Sequence, residues 1–320
     1  MKIFLTGSSG FIGFHLSKKL LDKGHNVHGF DSMNNYYDVK LKKKRYKILS
    51  TYKNFLFTKS DIENRKNLSK TILKFKPKII IHLAAQAGVR YSIEKPRVYL
   101  DSNITGTYNI IELAKKVNVK HLLIASSSSV YGANTKLPFK ENDKTETQLS
   151  IYAATKKSTE SIAHSYSNIW KLPITMMRLF TVYGPWGRPD MAMYIFANKI
   201  SNNQPISVFN HGDMIRDFTY IDDIIDGIRA AIHKNYKCEI FNLGNGSPIN
   251  IMYMLELIQK YLNKKAIIEY KKNQLGDVRE TVADITYSKK KLGYDPSTHI
   301  TKGVKEFIKW FKENKGYEVK

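Results

Sequence analysis

Lys2-Ile3-Phe4-Leu5-Thr6-Gly7-Ser8-Ser9-Gly10-Phe11-Ile12-Gly13 is the stretch that decides the fold. Lys2 to Thr6 is a short β-type run. From Phe11 to Leu21 the apolar residues Phe11, Ile12, Leu16, Leu20 and Leu21 fall at helical spacing, and Lys23-Gly24 stops the helix. Gly7, Gly10 and Gly13 therefore sit between a strand and a helix. Glycines there allow a tight turn, let the backbone approach a pyrophosphate and let the helix pack closely on the sheet. The phosphates then lie at the helix N-terminus (Phe11, Ile12), where free N–H groups and the dipole favour anions. Alone, such a glycine pattern is weak, because a tight strand–helix turn without ligand uses the same residues.

The second strand, Val27 to Phe30, adds weight because it ends on Asp31, 18 residues after Gly13. A carboxylate there accepts hydrogen bonds from ribose hydroxyls and repels a 2′-phosphate, which favours NAD over NADP. The next segment, to about Asn54, contains Asn34-Asn35-Tyr36-Tyr37 and the basic run Lys42 to Arg45, and reads as a loop and an exposed helix. Strand Phe55 to Lys59 ends at Ser60-Asp61; Asp61 is placed either to touch adenine or to cap the following helix. That helix runs to about Phe75 and leads into strand Ile79 to Leu83. Helix Asn103 to Val117 precedes strand His121 to Ala125, and helix Tyr152 to Trp170 precedes strand Thr175 to Leu179. Strictly alternating strands and helices imply an α/β fold, a Rossmann-type doubly wound parallel sheet.

After Phe180 the rhythm becomes irregular. Gly184-Pro185-Trp186-Gly187-Arg188-Pro189 reads as a loop, and helices are expected at Met193 to Asn202, Ile221 to Lys234 and Ile251 to Leu262. We expect a dinucleotide-binding domain at 1–179, with 214–243 returning to it. A smaller mixed α/β substrate domain would be built from 180–213 and 244–320.

Composition excludes other classes. The 320 residues include one cysteine, so no internal disulfide or Cys-rich zinc module is expected, and no metal site. Apolar runs are far below the ~20 residues needed to span a bilayer. The N-terminal run is too short for a signal-peptide core, so no membrane partner and a cytoplasmic location are expected. Lys and Arg number 52 against 28 Asp and Glu, a net +24. Such an excess can mark a nucleic-acid partner. Here lysine greatly outnumbers arginine, the residue suited to bidentate phosphate recognition, so the charge reads as solvated surface and no nucleic acid is expected.

Two further stretches carry chemistry. Tyr152-Ala153-Ala154-Thr155-Lys156 puts a phenol and an ammonium four residues apart, on one helical face. A nearby ammonium favours phenolate, so the tyrosine can take a hydroxyl proton as hydride leaves the same carbon. Ser126-Ser127-Ser128-Ser129-Val130-Tyr131-Gly132, at a strand end, offers a hydroxyl to the reacting oxygen. Tyr-x-x-x-Lys is common by chance; after a glycine loop and a serine run, in this order, it is not. An idle NAD-binding protein using its basic surface for RNA would be expected to have lost Tyr152 or Lys156, and both are intact.

On these residues the chain resembles the extended short-chain dehydrogenase/reductase family, the nucleotide-sugar epimerases and dehydratases, over nearly its whole length. The likeness includes His82-Leu83-Ala84-Ala85-Gln86-Ala87, Asn103-x-x-Gly106-Thr107, Arg178-Leu179-Phe180, Val182-Tyr183-Gly184-Pro185, Arg216-Asp217-Phe218 and Asp222-Asp223. The stretches Ala87 to Ser92, Phe180 to Met191 and Phe209 to Asp223 are most similar to UDP-glucuronate 4-epimerases. The resemblance implies Ser127, Tyr152 and Lys156 as catalytic residues. It implies NAD contacts at Gly7, Gly10, Phe11, Ile12, Gly13, Asp31, Asp61, Ile62, Leu83, Ala84, Ala85, Gln86, Tyr152 and Lys156. On the UDP-sugar side it implies Ser128, Ser129, Thr181, Arg188 and Arg90 near the sugar, Arg216 at the diphosphate and Asp277 at the uridine ribose.

Related dehydratases carry an Asp-Glu pair directly after the Ser127 position and decarboxylases a glutamate nearby; this chain has Ser128-Ser129. Cys238 is not placed for the proton exchange of reductase–epimerases. What remains is hydride out and hydride back at C4. Thr181 with Arg188 is the pattern of the glucuronate enzymes, and a guanidinium suits a sugar carboxylate; neutral-sugar 4-epimerases and decarboxylases stay as alternatives. Gln274-Leu275-Gly276-Asp277-Val278-Arg279 departs from the family pattern at Leu275 and Arg279. Helices Asn103 to Val117 and Tyr152 to Trp170 carry wide apolar faces, and family members often pair through two such helices, so a homodimer is expected.

Overall fold

The computed structural model describes residues 1–314 except 235, 273–275 and 277. Its main sheet has seven strands, all parallel: β1 (Lys2–Thr6), β2 (Asn26–Asp31), β3 (Phe55–Lys59), β4 (Ile79–His82), β5 (His121–Ser127), β6 (Ile174–Leu179) and, later in the chain, Cys238–Leu243. From β1 the chain winds outward through β2 and β3. It then returns to β4 on the other side and continues through β5 and β6 to Cys238–Leu243 at the far edge. The loops after β1 and β4 therefore leave in opposite directions, and a crevice opens at their carboxyl ends, where ligands of open α/β sheets bind.

Helices cover both faces, so the strands are apolar on both. Ile3 and Leu5 face a core that includes Leu16, Leu20 and Val27, while Phe4 between them faces one built with Phe30, Ile80 and Leu122. This period-two division of near-continuous hydrophobic runs is the mark of a buried parallel sheet. A smaller three-stranded sheet places Ile215–Tyr220 between Thr181–Tyr183, parallel to it, and Pro248–Asn250, antiparallel to it. Ile206–Phe209 pairs in parallel with Ile268–Lys271. None of the described helices is long and apolar enough to cross a membrane.

Four expectations need correction. The basic segment after Tyr37 is not an exposed helix. Helix Val39–Leu49, capped by Asp38, buries Leu41, Lys42, Arg45 and Leu49. These fall on one stripe, and the Arg45 guanidinium is fully buried because backbone carbonyls surround it. The helix expected from Asn103 begins as a π-helical turn, Leu100–Gly106, before the α-helix Thr107–Lys116. Asp61 does not cap the third helix: Arg65–Phe75 is capped by Asn64, whose side chain accepts from the Asn67 N–H. Strand β5 also runs two residues past Ala125, so Ser126 and Ser127 are strand residues.

The sheet is sealed by histidines kept neutral. His82 is buried between Thr6 and Thr107, with its ring nitrogens 2.7 and 3.0 Å from their hydroxyl oxygens. Burial drives its pKa down to about 3. His121, against the Thr175 hydroxyl, is brought down to about 4 in the same way. Unfolded imidazoles take up a proton near pH 6.5, so in this window the unfolded chain binds more protons than the folded one. The stability due to these groups is present above pH 6.5 and lost as pH falls. Thermal melting of the wild type is therefore expected to drop more steeply between pH 7 and pH 5 than that of a His82→Asn variant. Equal slopes would contradict the burial argument.

Candidate active site

The glycine loop is shaped by close approach. Gly7 has φ +75°, and a Cβ there would lie 2.8 Å from the Ala84 nitrogen, on the loop after β4. A Cβ on Gly13 would lie 2.0 Å from the Gly7 carbonyl oxygen. Both positions thus require glycine. The helix Phe11–Asp22 starts at Gly10 with no side-chain cap and no acidic residue in its first turn. Its positive end is left to the crevice, a ready anion site. Asp31 ends β2 at the rim, accepting from the N–H groups of Ser9 (2.9 Å) and Met33 (2.8 Å). It fixes the glycine loop and presents negative charge where a ribose would lie.

One cavity of about 1550 Å³ is lined by this loop and by residues much later in the chain, among them Phe209, Met214 and Arg216. That exceeds the roughly 300–1,000 Å³ of a usual ligand pocket, and suits a dinucleotide and a second nucleotide together. Gly7, Gly10, Phe11, Ile12, Gly13, Asp31, Asp61, Ile62 and Leu83 to Gln86 line it at one end. Ser127, Ser128, Ser129, Tyr152 and Lys156 also line it, as do Arg90, Thr181, Arg188 and Arg216. Asp277, with Gln274 and Leu275, lies outside the described residues. The uncapped helix, the glycine cradle and the Asp31 carboxylate fit NAD.

Tyr152 stands in the first turn of helix Ile151–Trp170, whose N-cap Ser150 accepts from the Ala153 N–H. Lys156 follows one turn later and donates to the Ala125 carbonyl at 2.8 Å. Ser127 ends β5, its hydroxyl oxygen accepting from the Ser129 N–H at 3.1 Å. Burial pushes the Tyr152 phenol above its ordinary value, opposed by a hydrogen bond with Ser127 and by the Arg188 charge. Burial brings Lys156 down to about 8, opposed by the Glu160 carboxylate. The Lys156 ammonium donates to the Ala125 carbonyl, while Ser127 and Arg188 oppose the effect of burial on the phenol.

The substrate side is less open than its sequence suggests. Arg188 is held by Asp190, Nε to Oδ1 at 2.9 Å and Nη2 to Oδ2. Arg90 lies over the Phe209 ring, 4.8 Å from its centroid. An Arg216 Nη1 donates to the carbonyls of Ile215 and Arg279, each at 2.9 Å. Arg279, the departure noted above, pairs with Asp213 at 2.9 Å in an exposed bridge.

Several supports were not singled out from the sequence. Asn103, on the π-helical turn, accepts from the Gln86 N–H (2.8 Å) and donates to the Gln86 carbonyl and the Thr155 hydroxyl, both at 3.0 Å. It joins the loop after β4 to the helix of Tyr152. Glu160, buried one turn beyond Lys156, accepts from Ser126 (2.6 Å) and, through both oxygens, from Arg178 (2.9 Å each). A buried carboxylate needs such full pairing. The motifs around Asn103 and Arg178 were visible as likeness only, and nothing in the pattern marked Glu160, Arg45 or Asp190.

Residues 3–244 match the NAD dependent epimerase/dehydratase family. A probable UDP-glucuronate 4-epimerase of Rhizobium meliloti is 43% identical over 333 residues, covering 98% of each chain. The structure of UDP-glucuronic acid 4-epimerase from Bacillus cereus, in complex with UDP-glucuronic acid and NAD, superposes with a TM-score of 0.93 at 33% identity, covering 98% of this chain and 99% of that one. The UDP-glucose 4-epimerase of Thermotoga maritima with UDP-glucose superposes with a TM-score of 0.89 at 29% identity, over 98% and 99%.

Gly13→Ala is expected to abolish NAD retention, because its methyl displaces the Gly7 carbonyl. Nucleotide released by heating the purified protein, quantified by chromatography, should fall to background. A variant that keeps the wild-type NAD content would contradict the cradle described here.

Proposed function

The chain belongs to the NAD-dependent epimerase/dehydratase family, and within it we propose that it is a UDP-glucuronate 4-epimerase, interconverting UDP-glucuronate and UDP-galacturonate. The observation that carries this reading is the opening of Ser127, Tyr152 and Lys156 onto one cavity that the glycine loop and Arg188 also line, with Arg188 near enough for its charge to act on the Tyr152 phenol.

The Tyr152 oxygen takes the proton of the C4 hydroxyl while the Ser127 hydroxyl bonds the same oxygen. Bound NAD supplies the hydride acceptor, and then the donor, at C4. The 4-keto sugar stays tethered by its UDP, turns in the cavity, and regains the proton from Tyr152 on the other face. Ser127 and Arg188 offset the burial that keeps Tyr152 protonated, so the phenol can act as base. Lys156, brought to about 8, holds its proton beside the Ala125 carbonyl and orients the tyrosine's turn of helix. A 4-keto uronic acid is a β-keto acid; Thr181 and Arg188 gripping its carboxylate would oppose loss of CO₂. Ser128-Ser129, in place of an acid and base, leaves no group for dehydration.

A second reading is a neutral-sugar 4-epimerase, favoured by the Asp190 carboxylate on the face of Arg188. Proton NMR of the purified protein with UDP-glucuronate and NAD should show the anomeric signal of UDP-galacturonate growing. Turnover of UDP-glucose alone would move the assignment to the second reading. A Tyr152→Phe variant should lose about 10²–10⁴-fold in kcat, the span of one general acid–base group. Unchanged turnover would refute the role given to the phenol.

We also propose a homodimer. Helices Thr107–Lys116 and Ile151–Trp170 pack together and leave Tyr108, Ile169 (62% exposed) and Trp170 (47%) in solvent. An apolar surface of this kind on paired helices suits a second copy of the same face. Sedimentation should give twice the 36.9 kDa chain mass and Ile169→Glu should shift it toward the monomer; a wild-type monomer would contradict the pairing.

A further inference from the structure

The loop that carries Arg188 is tied down from outside the cavity. Arg45, fully buried, donates through Nη1 to the Ser9 carbonyl (3.0 Å) and the Tyr37 hydroxyl (2.8 Å). Its Nη2 donates to the carbonyls of Trp186 and Gly187. One guanidinium thus fastens the Arg188 loop to the glycine loop. On this fixed loop Arg188 meets Asp190 through two parallel N–H···O bonds, the bidentate geometry that a sugar carboxylate would otherwise claim. Asp190 in turn accepts from the Tyr36 hydroxyl at 3.1 Å, and Arg188 lies over the Tyr36 ring, 5.9 Å from its centroid. Only 21% of the Arg188 side chain and 10% of the Asp190 side chain reach solvent, so water screens the pair poorly.

We propose that Asp190 is a specificity-determining residue, a built-in carboxylate that competes with the sugar's own for Arg188 and sets how strongly the site prefers an acidic over a neutral sugar, with Tyr36 moderating the competition. The inference rests on the place given to Arg188 in the proposed function. With Asp190 ionised, the pair is neutral. A hydroxymethyl group at C6 meets little charge, and a carboxylate must share a guanidinium already engaged. Replacing Asp190 by Asn keeps an acceptor for one Arg188 N–H but removes the competing charge. Arg188 is then a largely buried cation without a counter-ion, and an incoming carboxylate gains what Asp190 held. Tyr36 acts in the opposite sense. Its hydroxyl draws on the Asp190 oxygen that Arg188 also uses, so removing it leaves the carboxylate more fully on Arg188.

The test is the ratio of dissociation constants for UDP-glucose and UDP-glucuronate, measured by calorimetry on the NAD-loaded Tyr152→Phe protein, whose turnover is blocked, with and without each further substitution, UDP alone being the control for an intact site. Asp190→Asn should raise the preference for UDP-glucuronate about tenfold, and Tyr36→Phe should lower it by roughly two- to threefold. Mere damage to the loop would move both variants in the same direction. An unchanged or lowered preference in Asp190→Asn overturns the proposal. Should that variant fail to bind UDP, Tyr36→Phe decides, and an unchanged or raised preference there overturns it. Binding ratios are read without turnover, so the proposal can fail while the wild type still epimerises UDP-glucuronate. Failure of epimerisation is seen separately in the product.

Discussion

Everything in this molecule hangs on the close approach of two backbones at the centre of the sheet, Gly7 after β1 against Leu83-Ala84 after β4. The chain winds away from this point in both directions, so the loops on either side diverge and leave the crevice open. The approach is closer than any side chain on Gly7 would permit. It is reinforced by the Ala84 N–H donating to the Thr6 hydroxyl at 3.1 Å and by His82 between Thr6 and Thr107. The same contact that closes the sheet leaves the helix N-terminus uncapped and facing the cavity. Fold and cofactor cradle are one construction.

The reacting groups are placed from the opposite side. Strand β5 delivers Ser126 and Ser127 to adjacent positions with different tasks. Ser126 turns down to the buried Glu160–Arg178 pair, and Ser127 opens onto the cavity. Glu160 anchors the strand end and, from the same helix, steadies the charge on Lys156. Asn103 does the equivalent for the loop after β4, bridging Gln86 to Thr155 beside Lys156. Burial raises the pKa of the Tyr152 phenol, and Ser127 and Arg188 oppose that burial, which is the balance the proposed base needs. The glycine loop, the loop after β4 and the helix of Tyr152 are therefore joined through short polar links rather than through a single long element.

Elements governed by local periodicity were legible from the sequence. The glycine loop, Asp31, the alternating strands and helices and the Tyr152–Lys156 spacing follow from period 2, period 3.6 and turn chemistry. Helix Ile251–Leu262 has the expected bounds, and the helix expected at Ile221 to Lys234 ends two residues early, at Ile232. Elements governed by tertiary contact were not. The segment Lys42 to Arg45 reads as a charged surface because four basic residues stand in a row. Which of them is buried depends on the carbonyls of Ser9, Trp186 and Gly187, distant in sequence. Asp61 is the cap the sequence suggests, and the turn instead brings Asn64 to the N-cap position. Arg188 was legible as a cation in the right loop, but its pairing with Asp190 and Tyr36 needed the loop's actual course.

The central claim is that C4 loses and regains the same hydrogen inside one closed site, with Tyr152 moving only the hydroxyl proton. UDP-glucuronate deuterated at C4, incubated with the purified protein in ordinary water, tests it directly. The account predicts a slower turnover than with the unlabelled sugar and a UDP-galacturonate that keeps its deuterium at C4, seen by mass spectrometry and NMR. Product with the label washed into solvent, or a changed sugar with C4 never touched, would contradict it.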